Sequence, residues 1–508
     1  MDTSIRKVVI VGRDAAAWIS ALALQRSFGR ENGPGVEVQL VEQPSALRPQ
    51  DAFLALPAQK ALHRLLGLDE NKLLRASRGL FSLGQRFSNW SGGDSAFLHA
   101  YDTQGISLSH VDFYQYWLKA RAQGMNVALE NFSLGAVAAK QGCFVTFNDE
   151  NKAFSKAAYG YNLSALDYLK AIAKLAMQAG LEHTLGDVAS VDIDNGRIRS
   201  ITLGDGRRVK GDLFIDASGV EASLIGRMER RSNFKSWRPW MPCDRLLVAS
   251  APPLQPTPAF NQVSAFRHGW YSIAPLLDRS VVMAAYDSAG IRNDEALQTV
   301  AALSGLKLEG NAVAAPVSPG CREQQWIGNC VALGDSAVNL DPLDATHLQL
   351  LHTGLSWLVA MFPLQRHHMP EAEVFNAQMA AFSNGVRDFQ AAHFKLNRRF
   401  DEPLWDAVRD REPPTTLARK LRLFGARGMV AIEENETFQE ENWTAILNGH
   451  DLAPKTWDPQ VDKVPEQELM AHFQRILGFI AGEVKAFPSV QAHLEMNQPQ
   501  TQSDYIFG

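Results

Sequence analysis

The sequence predicts an α/β fold built on a parallel sheet and joined to a largely helical second module. Three observations predict it. Residues 7–24, KVVIVGRDAAAWISALAL, read as a buried strand, a tight turn at Gly12 and a helix entered through an alanine run. Residues 36–41, VEVQLV, read as the second parallel strand and end at Glu42. Beyond Glu371 the pattern is helical and charged to about residue 495.

The first strand and turn have the layout of a Rossmann-like nucleotide site, where a helix N-terminus receives the pyrophosphate. The glycine fingerprint G-x-G-x-x-G falls on Gly12, Asp14 and Ala17, and only the first glycine is present. Arg13 and Ala15 complete the turn. Asp14 puts a carboxylate where a dianion approaches, and it is expected to cap the helix by bonding the N–H of Ala16 or Ala17. Glu42 stands where an acid holds ribose hydroxyls, or else is a solvated loop acid.

Length and composition exclude several classes. The 508 residues carry a net charge of -5 and scattered basic residues, so nucleic acid is not an expected partner. Four cysteines without a C-x-x-C pair point away from a metal site or a disulfide framework. They fit a reducing cytoplasm. No signal-peptide pattern is seen, and the apolar segment at 354–364 is too short to cross a bilayer.

Further elements follow in order. Residues 57–78 read as helix, 78–90 as strand and loop, and 111–123 as an aromatic-rich helix. Residues 164–180 form an amphipathic pattern closed by Gly180. Strands at 188–193 and 198–203 flank a DNG turn, and DLFIDASG (212–219) reads as an apolar strand. Residues 251–262 are a proline-rich connection, 326–348 a second strand-to-helix turn, and the last ten residues a tail.

Several stretches then resemble one family, the flavin-dependent tryptophan halogenases. They are LGQRFSNW (83–90), YGYNLSALDYLKAIAKLAMQAGL (159–181), DLFIDASGVEASLI (212–225) and MPCDRLL (241–247). HGWYSIAPL (268–276), WIGNCVALGDSAVNLDPLDAT (326–346), RDFQAAHF (387–394) and FDEPLWDAVRD (400–410) continue the match. The resemblance implies a flavin-hydroxylase type FAD module at 1–100, 155–235 and 280–365. It assigns 101–154, 236–279 and 366–508 to a helical substrate module.

The resemblance also implies a chemistry. Reduced FAD from a separate reductase, with oxygen, converts chloride or bromide to hypohalous acid. A lysine and a glutamate then direct it onto an electron-rich aromatic such as tryptophan or indole. In this chain the lysine position is Ser82, which is otherwise a plain strand residue. Asp344 stands at the glutamate position, one methylene shorter. Thr346 and His347 occupy the halide segment, with His347 replacing a glycine.

Trp270 and Pro275 remain of a W-x-W-x-I-P motif that keeps substrate from the flavin; Trp270 reads equally as a core aromatic. Gly334, Asp335 and Ala337 match the segment that meets the flavin's ribityl–phosphate chain, and Asp216 and Gly219 also fit. The flavin-ring loop falls near 49–57, around Asp51, without its glycines. Altered site and preserved scaffold predict a poor halogenase. An active halogenase or monooxygenase is the alternative. The expected assembly is a homodimer or a pair with a related halogenase.

Overall fold

The computed structural model describes residues 4–29, 35–93, 95–108, 110–145, 158–229, 233–309 and 312–496. Strand Lys7–Gly12 lies inside a six-stranded sheet. It pairs in parallel with Glu37–Glu42 on one side and Leu213–Ala217 on the other. Glu182–Leu185 extends the first flank and Cys330–Ala332 the second, both in parallel. Val8, Val9, Ile10 and Val11 are fully buried, as a strand covered on both faces requires.

Gly12 ends that strand for a steric reason. A Cβ there would fall 2.2 Å from the Ala217 carbonyl oxygen of the neighbouring strand. Only glycine permits this approach. Helix Asp14–Phe28 follows directly.

A second sheet has seven strands, in the order Ala314–Pro316, Arg245–Ala251, Ser280–Tyr286, Gly269–Pro275, Asn261–Phe266, Gly84–Ser88 and Ala96–Ala100. Three of these strands lie wholly or mostly within 236–279, which the sequence assigns to the helical module. They are strands because alternate side chains pack on two separate buried clusters, one around Leu247 and Ile273 and one around Val248 and Ala274. A small antiparallel sheet of Ala52–Ala55, Gly160–Ser164 and Leu80–Ser82 carries Ser82 opposite Gly160.

The expected helix at 57–78 divides in two, Gln59–Leu65 and Glu70–Ala76, because Gly67 turns the chain at φ 60 and Asp69 caps the second half. The helix expected at 164–180 spans Ala165–Gln178. Helix Glu371–Lys395 buries Phe375, Met379, Phe382, Val386, Phe389 and His393 along one stripe. One continuous buried cluster runs from Ile5 to Val490, so this helix shares a core with the parallel sheet. Among the described residues no helix is long and apolar enough to cross a membrane. The last ten residues, read as a tail, lie outside the described residues.

Candidate active site

The nucleotide end of the parallel sheet is built differently from the sequence expectation. Asp14 does not cap its helix. The cap position is Arg13, which makes no side-chain cap bond, and Asp14 has φ 56. That left-handed backbone is the one a glycine would take there, and it swings the carboxylate away from the helix. Asp14 instead accepts hydrogen bonds from the Ser45 hydroxyl and, at 3.0 Å, from the Ala46 N–H. It thereby ties the helix start to the loop after Glu37–Glu42.

Neighbouring groups are also engaged. The Arg13 guanidinium lies 3.3 Å from Glu221. Both Glu42 carboxylate oxygens are held, one by Trp18 Nε1 at 2.8 Å and one by His183 Nε2 at 2.8 Å. Asp216 is fully buried and accepts from Ser218, Leu224 and Ile225, which organises the turn at Gly219. Ala15 and Ala337 are buried, and the Ala337 N–H closes onto the Gly334 carbonyl.

Gly334, at φ 63, abuts the first turn of the Asp14–Phe28 helix, where a Cβ would come within 3.2 Å of Ala16 Cβ. Asp335 beside it has an exposed carboxylate. Surrounding protein nevertheless raises its pKa by desolvation, with His347 as the opposing charge.

A cleft of about 220 Å³ opens between the seven-stranded sheet and the turn that precedes helix His347–Ala360. Leu246, Val248, Ala274 and Met283 give it an apolar floor, and Arg48, Asp51 and His347 stand at its polar edge. Arg48 and Asp51 form an ion pair at 3.1 Å. At the helix start, by contrast, a carboxylate is fixed against the loop at Ser45 and Ala46, and among the described residues no side chain caps the helix N–H groups.

The turn itself is strained. Asp344 and Ala345 both take positive φ, 65 and 58, which side-chain-bearing residues rarely adopt. Gln390 holds the turn in place: its Nε2 donates to the carbonyls of Asp341 at 2.9 Å and Leu343 at 2.7 Å. Thr346 is buried next to this clamp, at the cap of the His347–Ala360 helix.

The strain delivers Asp344 into the interior. Neither of its carboxylate oxygens has a hydrogen bond aligned upon it, and burial pushes its pKa up to about 7. Asp341, near Trp270, is also pushed up to about 7 by burial, with the Asp344 charge adding to the effect. His393 Nε2 lies 3.3 Å from Asp344 Oδ1, and His393 Nδ1 lies 2.9 Å from His450 Nε2. Burial lowers His393 to about 3 and holds His450 well below its usual value. Below about pH 7 the cluster is thus a neutral acid beside neutral imidazoles.

Ser82 reaches the same neighbourhood from the other side. It is buried, and its hydroxyl donates to the Gly84 carbonyl at 3.0 Å. The Tyr101 hydroxyl has Gln85 and Ser82 as hydrogen-bonding neighbours and feels the Asp344 charge. His99, also within reach of that charge, is fixed by Asn442 at 2.9 Å, and its Nδ1 is buried without a protein partner. Trp270 is buried, and the Pro275 carbonyl accepts from Asn162 at 3.1 Å.

Ser82 and Asp344 are therefore brought together around Tyr101. His347 lies at the cleft, and Glu42 and Arg13 lie at the carboxyl ends of the parallel strands. Sequence reasoning missed His99, Tyr101, Asp341, Gln390, His393, Asn442 and His450. His393 and Gln390 did leave a signal, as polar residues on the buried stripe of a helical pattern. The others are distant in sequence and are joined only by the fold.

Comparison with known proteins places the chain. The family model "Tryptophan halogenase" matches residues 7–466. A tryptophan 7-halogenase of Kutzneria sp. (strain 744) is 26% identical over 84% of this chain and 82% of its own. Another, of Lentzea aerocolonigenes, is 24% identical over 92% and 93%. Among solved structures, a flavin-dependent halogenase from Brevundimonas sp. BAL3 superposes with TM-score 0.90 at 32% identity, covering 97% of this chain and 99% of that one. One from Xanthomonas campestris gives TM-score 0.92 at 27% identity, covering 98% and 99%.

Proposed function

The chain belongs to the tryptophan halogenase family, and from that premise we propose that it is a divergent member which does not halogenate efficiently. The carrying observation is Ser82. Its hydroxyl is buried and bonded to a backbone carbonyl, and our reading sets it at the position of the family lysine. It has no amine to capture or polarise hypohalous acid. Loss of a positioned proton donor alone costs ~10²–10⁴-fold in rate.

The partners of this reading are those of the family. They are FAD, chloride or bromide, an aromatic small molecule such as tryptophan or indole, and a separate flavin reductase. When bound and reduced, FAD supplies the oxygen activation. The chain's own residues would then act around it. Gly334, Asp335 and the helix start would meet its ribityl–phosphate chain. Thr346 and His347 would face halide at a helix N-terminus. Asp344 holds a proton near neutral pH, and Trp270 and Pro275 form the wall between ring and substrate. A cytoplasmic protein acting as a homodimer, or pairing with a related halogenase, completes the reading.

A second reading, an active halogenase or monooxygenase, draws on one observation: the buried Asp344 is poised near neutrality beside His393. Incubation with FAD, a flavin reductase, NADH, bromide and a panel of indoles tests the two. The proposal expects no brominated product above the enzyme-free control. Steady turnover on any indole would favour the second reading.

A further inference from the structure

We infer that the crevice between the Asp14–Phe28 helix start and the apolar cleft takes an uncharged flavin of the riboflavin class in preference to FAD. This rests on the flavin-family reading above. It differs from that reading in which part of the cofactor the chain can hold.

Three features carry the inference. First, Asp14 brings its own anion to the helix start, where the helix dipole would otherwise draw a phosphate. The carboxylate is fixed by Ser45 and Ala46, and among the described residues no cation pairs with it. Arg13, the adjacent candidate, is turned to Glu221. A pyrophosphate would meet an uncompensated like charge.

Second, each Glu42 oxygen already accepts one hydrogen bond, from Trp18 and from His183. A ribose of the adenosine half of FAD would have to share those oxygens and use their remaining lone pairs. Third, the ring half of the site is present. The cleft has an apolar floor of Leu246, Val248, Ala274 and Met283 and a polar edge at Asp51 and His347. Asp335, with its accessible carboxylate, is a good acceptor for the hydroxyls of a neutral ribityl chain and a poor neighbour for a phosphate.

The test is a set of titrations of the full-length protein with riboflavin, FMN and FAD, read by quenching of flavin fluorescence. Riboflavin is expected to bind at least tenfold tighter than FAD, with FMN between. Raising the ionic strength should narrow the gap, because it screens repulsion of the phosphates and leaves riboflavin unaffected. Asp14→Asn, which removes the charge but keeps an acceptor for Ala46, should bring FAD within about threefold of riboflavin on the same grounds. Should that variant fail to fold, the salt series on the native protein carries the test.

FAD binding as tight as riboflavin would overturn the inference, and so would the absence of saturable riboflavin binding. Neither readout needs turnover. Tight FAD binding without brominated product would sink this inference alone and leave the proposed function standing.

Discussion

His393 Nε2 lies 3.3 Å from Asp344 Oδ1, while the same imidazole reaches His450 Nε2 at 2.9 Å through Nδ1. The His393–His450 contact is a hydrogen bond, whereas the approach of His393 Nε2 to Asp344 is not aligned as one, so both Asp344 oxygens stay buried without a hydrogen bond among the described residues. Burial of such a carboxyl favours its protonated state.

The pH dependence of stability follows. Asp344 and Asp341 both have folded pKa values of about 7, above the ordinary carboxylate range. The folded state then binds more protons than the unfolded state between ~4 and ~7, so stability is greatest below that window and falls as pH rises through it. Asp344→Asn should therefore stabilise the protein by about 4 kcal/mol at pH 8 and by only about 1.5 kcal/mol at pH 5. Urea unfolding at the two pH values measures this. Equal shifts at both would contradict it.

Gln390 holds the two-residue left-handed turn through the Asp341 and Leu343 carbonyls. Gln390→Ala removes a buried donor from two acceptors and should cost about 1–3 kcal/mol. Denaturant midpoints would register the loss. A neutral substitution would show that packing alone sets the turn.

Gly12 has no room for a side chain, since a Cβ would press on the Ala217 carbonyl at 2.2 Å. Gly12→Ala should destabilise by about 1–3 kcal/mol through displacement of the central strand pair. Thermal melts would reveal it as a lowered midpoint.

Ser82→Lys would place an amine in a buried site already occupied by the Tyr101 hydroxyl and near Asp344. Burial depresses such an amine's pKa and costs about 1–3 kcal/mol of stability unless the amine is paired. A lowered urea midpoint at pH 7, partly recovered in Ser82→Met, separates the charge from the bulk.

Much of this was legible in the sequence. The parallel sheet could be read because Val8–Val11 is an apolar run ending at Gly12 and residues 36–41 alternate up to Glu42. The assignment of Ser82 and Asp344 to the site rests on the resemblance of their neighbours to the family's motifs. The seven-stranded sheet was less visible, since its strands divide their side chains between two small clusters and lack one clean alternation. Asp14 was misread because sequence shows residue type and not φ. A positive φ turned a plausible cap into a bridge to Ser45 and Ala46. The histidine cluster was hidden because His99, His393 and His450 come from three distant segments.

The central claim is that Ser82 leaves the chain without efficient halogenation. The most direct test compares the native protein with Ser82→Lys in the presence of FAD, a flavin reductase, NADH and bromide. Brominated tryptophan and indole are counted by mass spectrometry. The account predicts no product above the enzyme-free control from the native protein, and none from Ser82→Lys alone, because the helix start at Asp14 is altered as well. Sustained bromination by the native protein would contradict it.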